Sequence, residues 1–216
     1  MDEKTSGYWK RFYKQHDPDS PSAFCDFVIK NFLSSNDTVI ELGCGNGRDA
    51  VALARQAHRY IGLDISPSAT LAAHELLESC GLERQNFDFQ TQSFAAVRRP
   101  SQIENRVLIY SRFSLHADSE SAQTQLFENL SSCMEPGDLI MIETRTIHDE
   151  LFGVGELVER NAYMTDHYRR FLDPADFPDC LPDNLKLLAK ETRRGFAPYG
   201  DADPVVMRLS IQVVGT

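Results

Sequence analysis

The sequence predicts an α/β fold, a doubly wound and mostly parallel sheet of seven strands that ends in an antiparallel C-terminal hairpin. Three observations predict it. Short apolar runs rich in β-branched residues alternate with longer runs of helical periodicity, the pattern of repeated βαβ units. A glycine-rich turn, "ELGCGNGRD", lies between the first of these runs and an Ala/Leu-rich one. The last two strand candidates follow each other across a loop around "RRGFAPYGDADP" with no crossover helix between them, so antiparallel pairing is expected.

The elements follow in order. Residues 1–37 read as an N-terminal helical cap, because Tyr8, Trp9, Phe12 and Tyr13 sit at helical spacing. This face either closes over a ligand site or packs permanently on the core. The strands are "TVIEL" (38–42), "RYIGLDI" (59–65), "NFDFQT" (86–91), "RVLIYS" (106–111) and "DLIMIET" (138–144), with two more near 185–192 and 205–214. In "SPSATLAAHELLESCG", Ser66 suits an N-cap, Pro67 the first helical turn and Gly81 the helix stop. "SESAQTQLFENLSSCM" forms a further helix, turned into the fifth strand by "EPGD". With 216 residues and 42% hydrophobic content, one core suffices and residues 1–216 read as a single domain.

Composition excludes several classes of partner. A net charge of −10 opposes the positive field that phosphate backbones require, so nucleic acid is not expected. Cys25, Cys44, Cys80, Cys133 and Cys180 are odd in number and scattered, which fits reduced thiols in a cytoplasmic protein. No apolar run approaches the roughly 18 to 20 residues of a membrane span, and no leader stands at the start. No His/carboxylate spacing suggests a metal. A monomer or homodimer is expected.

In a strand-turn-helix unit, glycine permits positive φ and close backbone approach, while the N–H groups of the new helix favour anionic atoms. The dinucleotide fingerprint G-x-G-x-x-G requires glycine at position 48 if Gly43 and Gly45 are its first two, and Arg48 stands there. Gly43, Gly45 and Gly47 form G-x-G-x-G instead, preceded by Glu41 and followed by Asp64 at the end of the second strand. The stretches "ELGCGNGRD" and "GLDIS" resemble motifs I and II of class I S-adenosylmethionine-dependent methyltransferases, and the strand order from about Val39 onward agrees.

The resemblance implies a Rossmann-like fold, S-adenosyl-L-methionine as cofactor and roles position by position. Glu41 would orient the methionine ammonium, and Gly43, Cys44, Gly45, Asn46 and Gly47 would support methionine and ribose. Asp64 would hold the ribose hydroxyls, and Ile65 beside it belongs to the cofactor set. Where the family commonly carries an acidic residue near the adenine amino group, this chain has Gln92 and then Ser93. The Gln92 carbonyl can accept from that group. Tyr110, late in the fourth strand, completes the cofactor set. The plainer alternative is a tight turn, with Asp64 as a local cap.

The acceptor of a doubly wound sheet approaches the carboxyl ends of the strands. "YSRFSLHADS" follows the fourth strand and "ETRTIHDELFGVG" the fifth, and residues 145–180 read as a substrate-side insertion. Arg112, Arg145, Arg169 and Arg170, with Tyr168, are candidates for holding a carboxylate, phosphate or other anion, joined by Tyr8 and Trp9 from the cap. The alternative is that these arginines form structural ion pairs with Glu143, Asp149, Glu156 or Asp173. His116 leads the candidates for a general base and His167 follows, with His148 also in reach, because histidine titrates near neutrality. Each could equally be a bystander. The expected function is methylation of O or N on a small polar metabolite, anionic or sugar-like. A protein or tRNA methyltransferase and a non-catalytic S-adenosylmethionine-binding protein stand as alternatives. The N-P-P-Y or D-P-P-Y motif of many amino-methylating enzymes is replaced by "YSRF".

Overall fold

A computed structural model describes residues 20–177 and 179–215. Tyr8, Trp9, Phe12 and Tyr13, and with them the first half of the expected cap, lie outside the described residues.

Helix α1 (Ala23–Asn31) leads into β1 (Thr38–Leu42), α2 (Ala50–Gln56), β2 (Arg59–Asp64), α3 (Pro67–Ser79), β3 (Phe87–Thr91), β4 (Val107–Arg112), α4 (Glu120–Cys133) and β5 (Leu139–Arg145). Then come β6 (Glu156–Glu159), β7 (Ala162–Met164), β8 (Tyr168–Arg170), β9 (Leu185–Arg193) and β10 (Val206–Val213). The main sheet has the order β3-β2-β1-β4-β5-β10-β9. β1 to β5 run parallel, and β10 pairs antiparallel with both β5 and β9. The chain reverses between β1 and β4, which opens the crevice where ligands of doubly wound sheets bind.

Alternation along the strands builds two cores, since successive side chains point to opposite faces. Val39, Tyr60, Leu108, Tyr110, Leu139 and Met141 face α1, α2 and α3 through Phe24, Val28, Ala50, Leu53 and Leu77. Ile40, Leu42, Ile61, Leu63, Ile109, Ile140 and Ile142 face α4 through Leu126, Phe127 and Leu130. Each such fully buried side chain contributes about 1.5–3 kcal/mol. The outer strand β9 is largely exposed and carries Lys186, Lys190, Glu191 and Arg193, charges that discourage edge pairing.

Local signals set the ends of α3 as the sequence predicts. The Ser66 hydroxyl accepts from Ala69 N–H, and Pro67 opens the first turn. Gly81 takes φ +76 and closes a Schellman-type end in which Gly81 N–H donates to Glu78 O and Leu82 N–H to Leu77 O.

Residues 145–180 hold more order than an insertion loop. β6, β7 and β8 form a second antiparallel sheet, steadied by edge-to-face contacts of Phe152, Tyr163 and Phe171 with centroids 5.4–6.2 Å apart. β8 packs on the turn after β4, and so brings this sheet over the carboxyl edge of the main one.

Candidate active site

The glycine turn needs its glycines for conformation and for space. Gly43, Gly45 and Gly47 all take positive φ (72, 55 and 91°), where a Cβ is strained. A Cβ on Gly43 would stand 2.9 Å from the Ser114 Cβ, and one on Gly47 3.2 Å from that of Ala73. The turn is pinned to β2: Gly43 and Cys44 N–H donate to Leu63 O at 2.7 and 2.9 Å, and Gly45 N–H donates to Asp64 Oδ2 at 2.9 Å. Asp64 Oδ1 accepts from Ser66 N–H at 2.8 Å. Each carboxylate oxygen therefore spends one acceptor site on backbone and keeps another, which fits a pair of vicinal hydroxyls. Burial raises the Asp64 carboxyl above the ordinary range, while the N–H donors of Ser66 and Gly45 hold it down in part.

Two buried carboxylates lie beneath the turn on the α1–α3 face. Glu41 accepts from the Tyr60 hydroxyl at 2.6 Å, and burial with the nearby Asp49 pushes its carboxyl well up. Gly62 makes this pair fit: a Cβ there would lie 2.6 Å from the Phe89 ring and 2.9 Å from the Tyr60 oxygen. Asp49 opens α2 without capping it. Its carboxylate instead accepts from Ser22 N–H (2.6 Å), the Ser22 hydroxyl (2.7 Å) and the Tyr110 hydroxyl (2.6 Å). One side chain thus ties the start of α1, the start of α2 and the end of β4 into one buried knot.

The carboxyl edge of β4 and β5 is rich in cations. Glu143 is 1% exposed and accepts from Arg112 Nε at 3.0 Å and Arg208 Nε at 2.8 Å, its cross-strand neighbours. Phe113 takes φ +56, and the Arg112 and Arg145 guanidiniums lie 4.5 and 5.5 Å from its ring centre. Arg145 also donates to Asp149 at 2.8 Å. His116 packs edge-on to Phe113 at 5.5 Å. It is 4% exposed, and its Nδ1 is buried with no hydrogen-bond partner. Burial, then Arg145, Arg169, His167 and Arg170, drive its proton affinity well below that of a free histidine.

The second sheet closes this side. The Arg170 guanidinium, 5% exposed, donates to Asp118 O at 3.2 Å and to Gln123 Oε1 at 2.6 Å, docking β8 on the start of α4. His167 is bonded through Nδ1 to Asp166 at 2.8 Å, and burial with Arg169 lowers its pKa to about 4. Arg169 contacts Thr165 at 3.4 Å, and the Tyr168 hydroxyl bonds Glu159. Among the described residues no cluster of three His, Cys, Asp or Glu side chains is placed to hold a metal, and no helix is long and apolar enough to cross a membrane.

A methyltransferase domain family model matches residues 33–189. The chain belongs to this methyltransferase family. It is 37% identical to an uncharacterized methyltransferase of Schizosaccharomyces pombe, across 86% of this chain and 78% of that one. A solved S-adenosylmethionine-dependent methyltransferase of Methanosarcina mazei shares the fold with a TM-score of 0.71 at 14% identity, covering 88% of this chain and 98% of its own. Another from Anabaena variabilis gives 0.71 at 17% identity, covering 98% and 94%. Family membership and the glycine-turn motif together assign S-adenosylmethionine as the cofactor of this methyltransferase.

The expected site residues fall into groups in the methyltransferase. Glu41, Gly43, Cys44, Gly45, Asn46, Gly47 and Asp64 gather at the turn, with the Cys44 thiol buried and its pKa raised. Ile65 stands 49% exposed just beyond Asp64. Gln92 N–H donates to Asp64 O, and the Ser93 hydroxyl caps the short turn that follows by accepting from Ala95 N–H. Tyr110 is fully buried with its hydroxyl on Asp49. Arg112 and Arg145 have carboxylate partners inside the fold, so an anion clamp would have to share them. His148 is exposed. Sequence reasoning missed Tyr60, Ser114 and the buried role of Asp49. The Asp49 bonds span 27 and 61 residues of chain, so no local pattern announces them.

Proposed function

We propose that this methyltransferase carries the methyl group of S-adenosylmethionine to O or N of a small polar metabolite, anionic acceptors included. The observation that supports a small acceptor is the second sheet, whose β8 packs on the turn after β4 where His116 lies 4% exposed. A groove for a folded protein or an RNA would need this edge open. Glu41 would hold the cofactor's ammonium end, Asp64 its ribose hydroxyls and the glycine turn its methionine portion; Gln92 and Ser93 would meet the adenine. The cofactor, when bound, supplies a methyl group on a sulfonium. The protein then contributes alignment of acceptor and methyl, which alone can remove much of the barrier. His116 and His167 are both held neutral near pH 7, so they serve as hydrogen-bonding groups toward an acceptor and not as strong bases.

Incubation with methyl-labelled S-adenosylmethionine and a cell extract tests this. Label should enter the low-mass fraction and persist with chelator present. Label confined to protein or tRNA would overturn the small-acceptor reading, and loss of transfer with EDTA, restored by magnesium, would overturn metal independence.

A further inference from the structure

We infer that the acceptor group is a carboxylate on a small molecule and that the product is its methyl ester, an inference that rests on the acceptor site proposed above. Three observations carry it. The first is the sign of the charge around His116. Arg145, Arg169 and Arg170 all act on it, from β5 and β8, with the neutral His167 beside them. Of the nearby carboxylates, Glu143 is paired with Arg112 and Arg208 and Asp149 with Arg145, Asp166 is hydrogen-bonded to the neutral His167, and Asp118, Glu120 and Glu159 act on Arg170 from beyond ion-pair distance. The Arg170 guanidinium is 5% exposed and bonds neutral oxygens, with no carboxylate of the described residues at ion-pair distance. A buried cation of this kind is matched by a charge that a ligand can bring.

The second is the His116 Nδ1 atom, buried and without a partner. Buried polar atoms are nearly always hydrogen-bonded, and an orphan at a site marks a place for a ligand atom. His116 lies on the short turn after β4 that also carries Ser114, whose side chain abuts the glycine turn at Gly43. The third is the absence of a strong base among these groups. An alcohol must lose a proton to react, and neither His116 nor His167 takes one readily near neutrality. A neutral amine needs no base but gathers positive charge as it is methylated, which the surrounding cations oppose. A carboxylate arrives ionised and is drawn to them.

The step balances without an acid or base. The carboxylate oxygen forms the O–C bond as the S–C bond breaks, and that electron pair stays on sulfur. An anion and a sulfonium thereby give a neutral ester and a neutral thioether.

The test uses the whole chain, methyl-labelled S-adenosylmethionine and a low-mass extract, divided into an untreated portion and one whose carboxylates have been converted to amides. We expect the label to be released as volatile methanol by mild alkali, which cleaves methyl esters and spares ethers and N-methyl groups, and incorporation to fall at least about tenfold after amidation. Label that survives alkali in the low-mass fraction overturns the inference and leaves the small-acceptor reading intact. Label absent from that fraction overturns both. As a second readout, Arg169→Gln should raise the acceptor KM about tenfold with a smaller effect on kcat, as for loss of one charge-assisted contact, and Arg169→Lys should restore part of it. Equal falls in kcat for both variants with KM unchanged would contradict a role in acceptor binding.

Discussion

The two halves of the carboxyl edge are built on opposite plans. On the side of the glycine turn, the proposed cofactor side, every named buried carboxylate is satisfied within the fold: Asp49 by Ser22 and Tyr110, Asp64 by Gly45 and Ser66, Glu41 by Tyr60. On the acceptor side the fold gathers arginines and leaves buried polar atoms unmatched, His116 Nδ1 and Thr144 Oγ1. The first half is preorganised by backbone N–H and buried hydroxyl donors and can keep one shape with or without a ligand. The second holds Arg170 with no ion-pair partner among the described residues and His116 Nδ1 with no hydrogen-bond partner, both of which a bound molecule can complete. In the proposed reading the difference separates what is common to the chemistry, the methyl donor, from what is particular to this chain, the acceptor.

The comparison breaks most severely at Asp49. Asp49→Ala should lower stability by about 3–5 kcal/mol, because it strands two donors on Ser22 and one on Tyr110 in the interior; chemical denaturation read by circular dichroism measures it. Asp64→Ala should act on binding, with the S-adenosylmethionine Kd rising about a hundredfold, or roughly 2.7 kcal/mol. Equal binding by this variant would remove Asp64 from the cofactor set. Gly62→Ala comes next at about 1–3 kcal/mol of stability, since its Cβ collides with the Phe89 ring and the Tyr60 oxygen. An unchanged melting temperature would show that Phe89 yields freely.

The smallest effect sharpens the acceptor half through pH. His116 and His167 have folded-state proton affinities below the reference value of 6.5, so the unfolded chain takes up the protons first. Their contribution is complete above 6.5 and is lost as the pH falls, for His167 until about 4. His167→Asn should therefore lose less melting temperature than the parent when the pH is lowered from neutrality into this window. Parallel losses in the two proteins would argue that His167 titrates as a free side chain.

Much of the cofactor half was legible in the chain because its causes are local. Ser66, Pro67 and Gly81 set α3 through bonds three to five residues long, and the G-x-G-x-G spacing needs nothing beyond the turn to be recognised. The seven main strands carry apolar runs long enough to read. The second sheet was not legible: its strands have three or four residues, β6 is wholly exposed, and its stability comes from Phe152 and Phe171 outside the strands. The arginines of the acceptor half were visible as a group, but their partners were not. Arg112 meets Glu143 across strands, while Arg170 reaches a carbonyl and an amide 47 to 52 residues away.

Calorimetric titration of S-adenosylmethionine into the intact protein tests the central claim most directly. A single site of micromolar Kd, weakened about tenfold or more by Gly43→Ala in a protein that still folds, is the predicted result. No heat of binding at millimolar cofactor, from protein whose circular dichroism shows the native α/β fold, would contradict it.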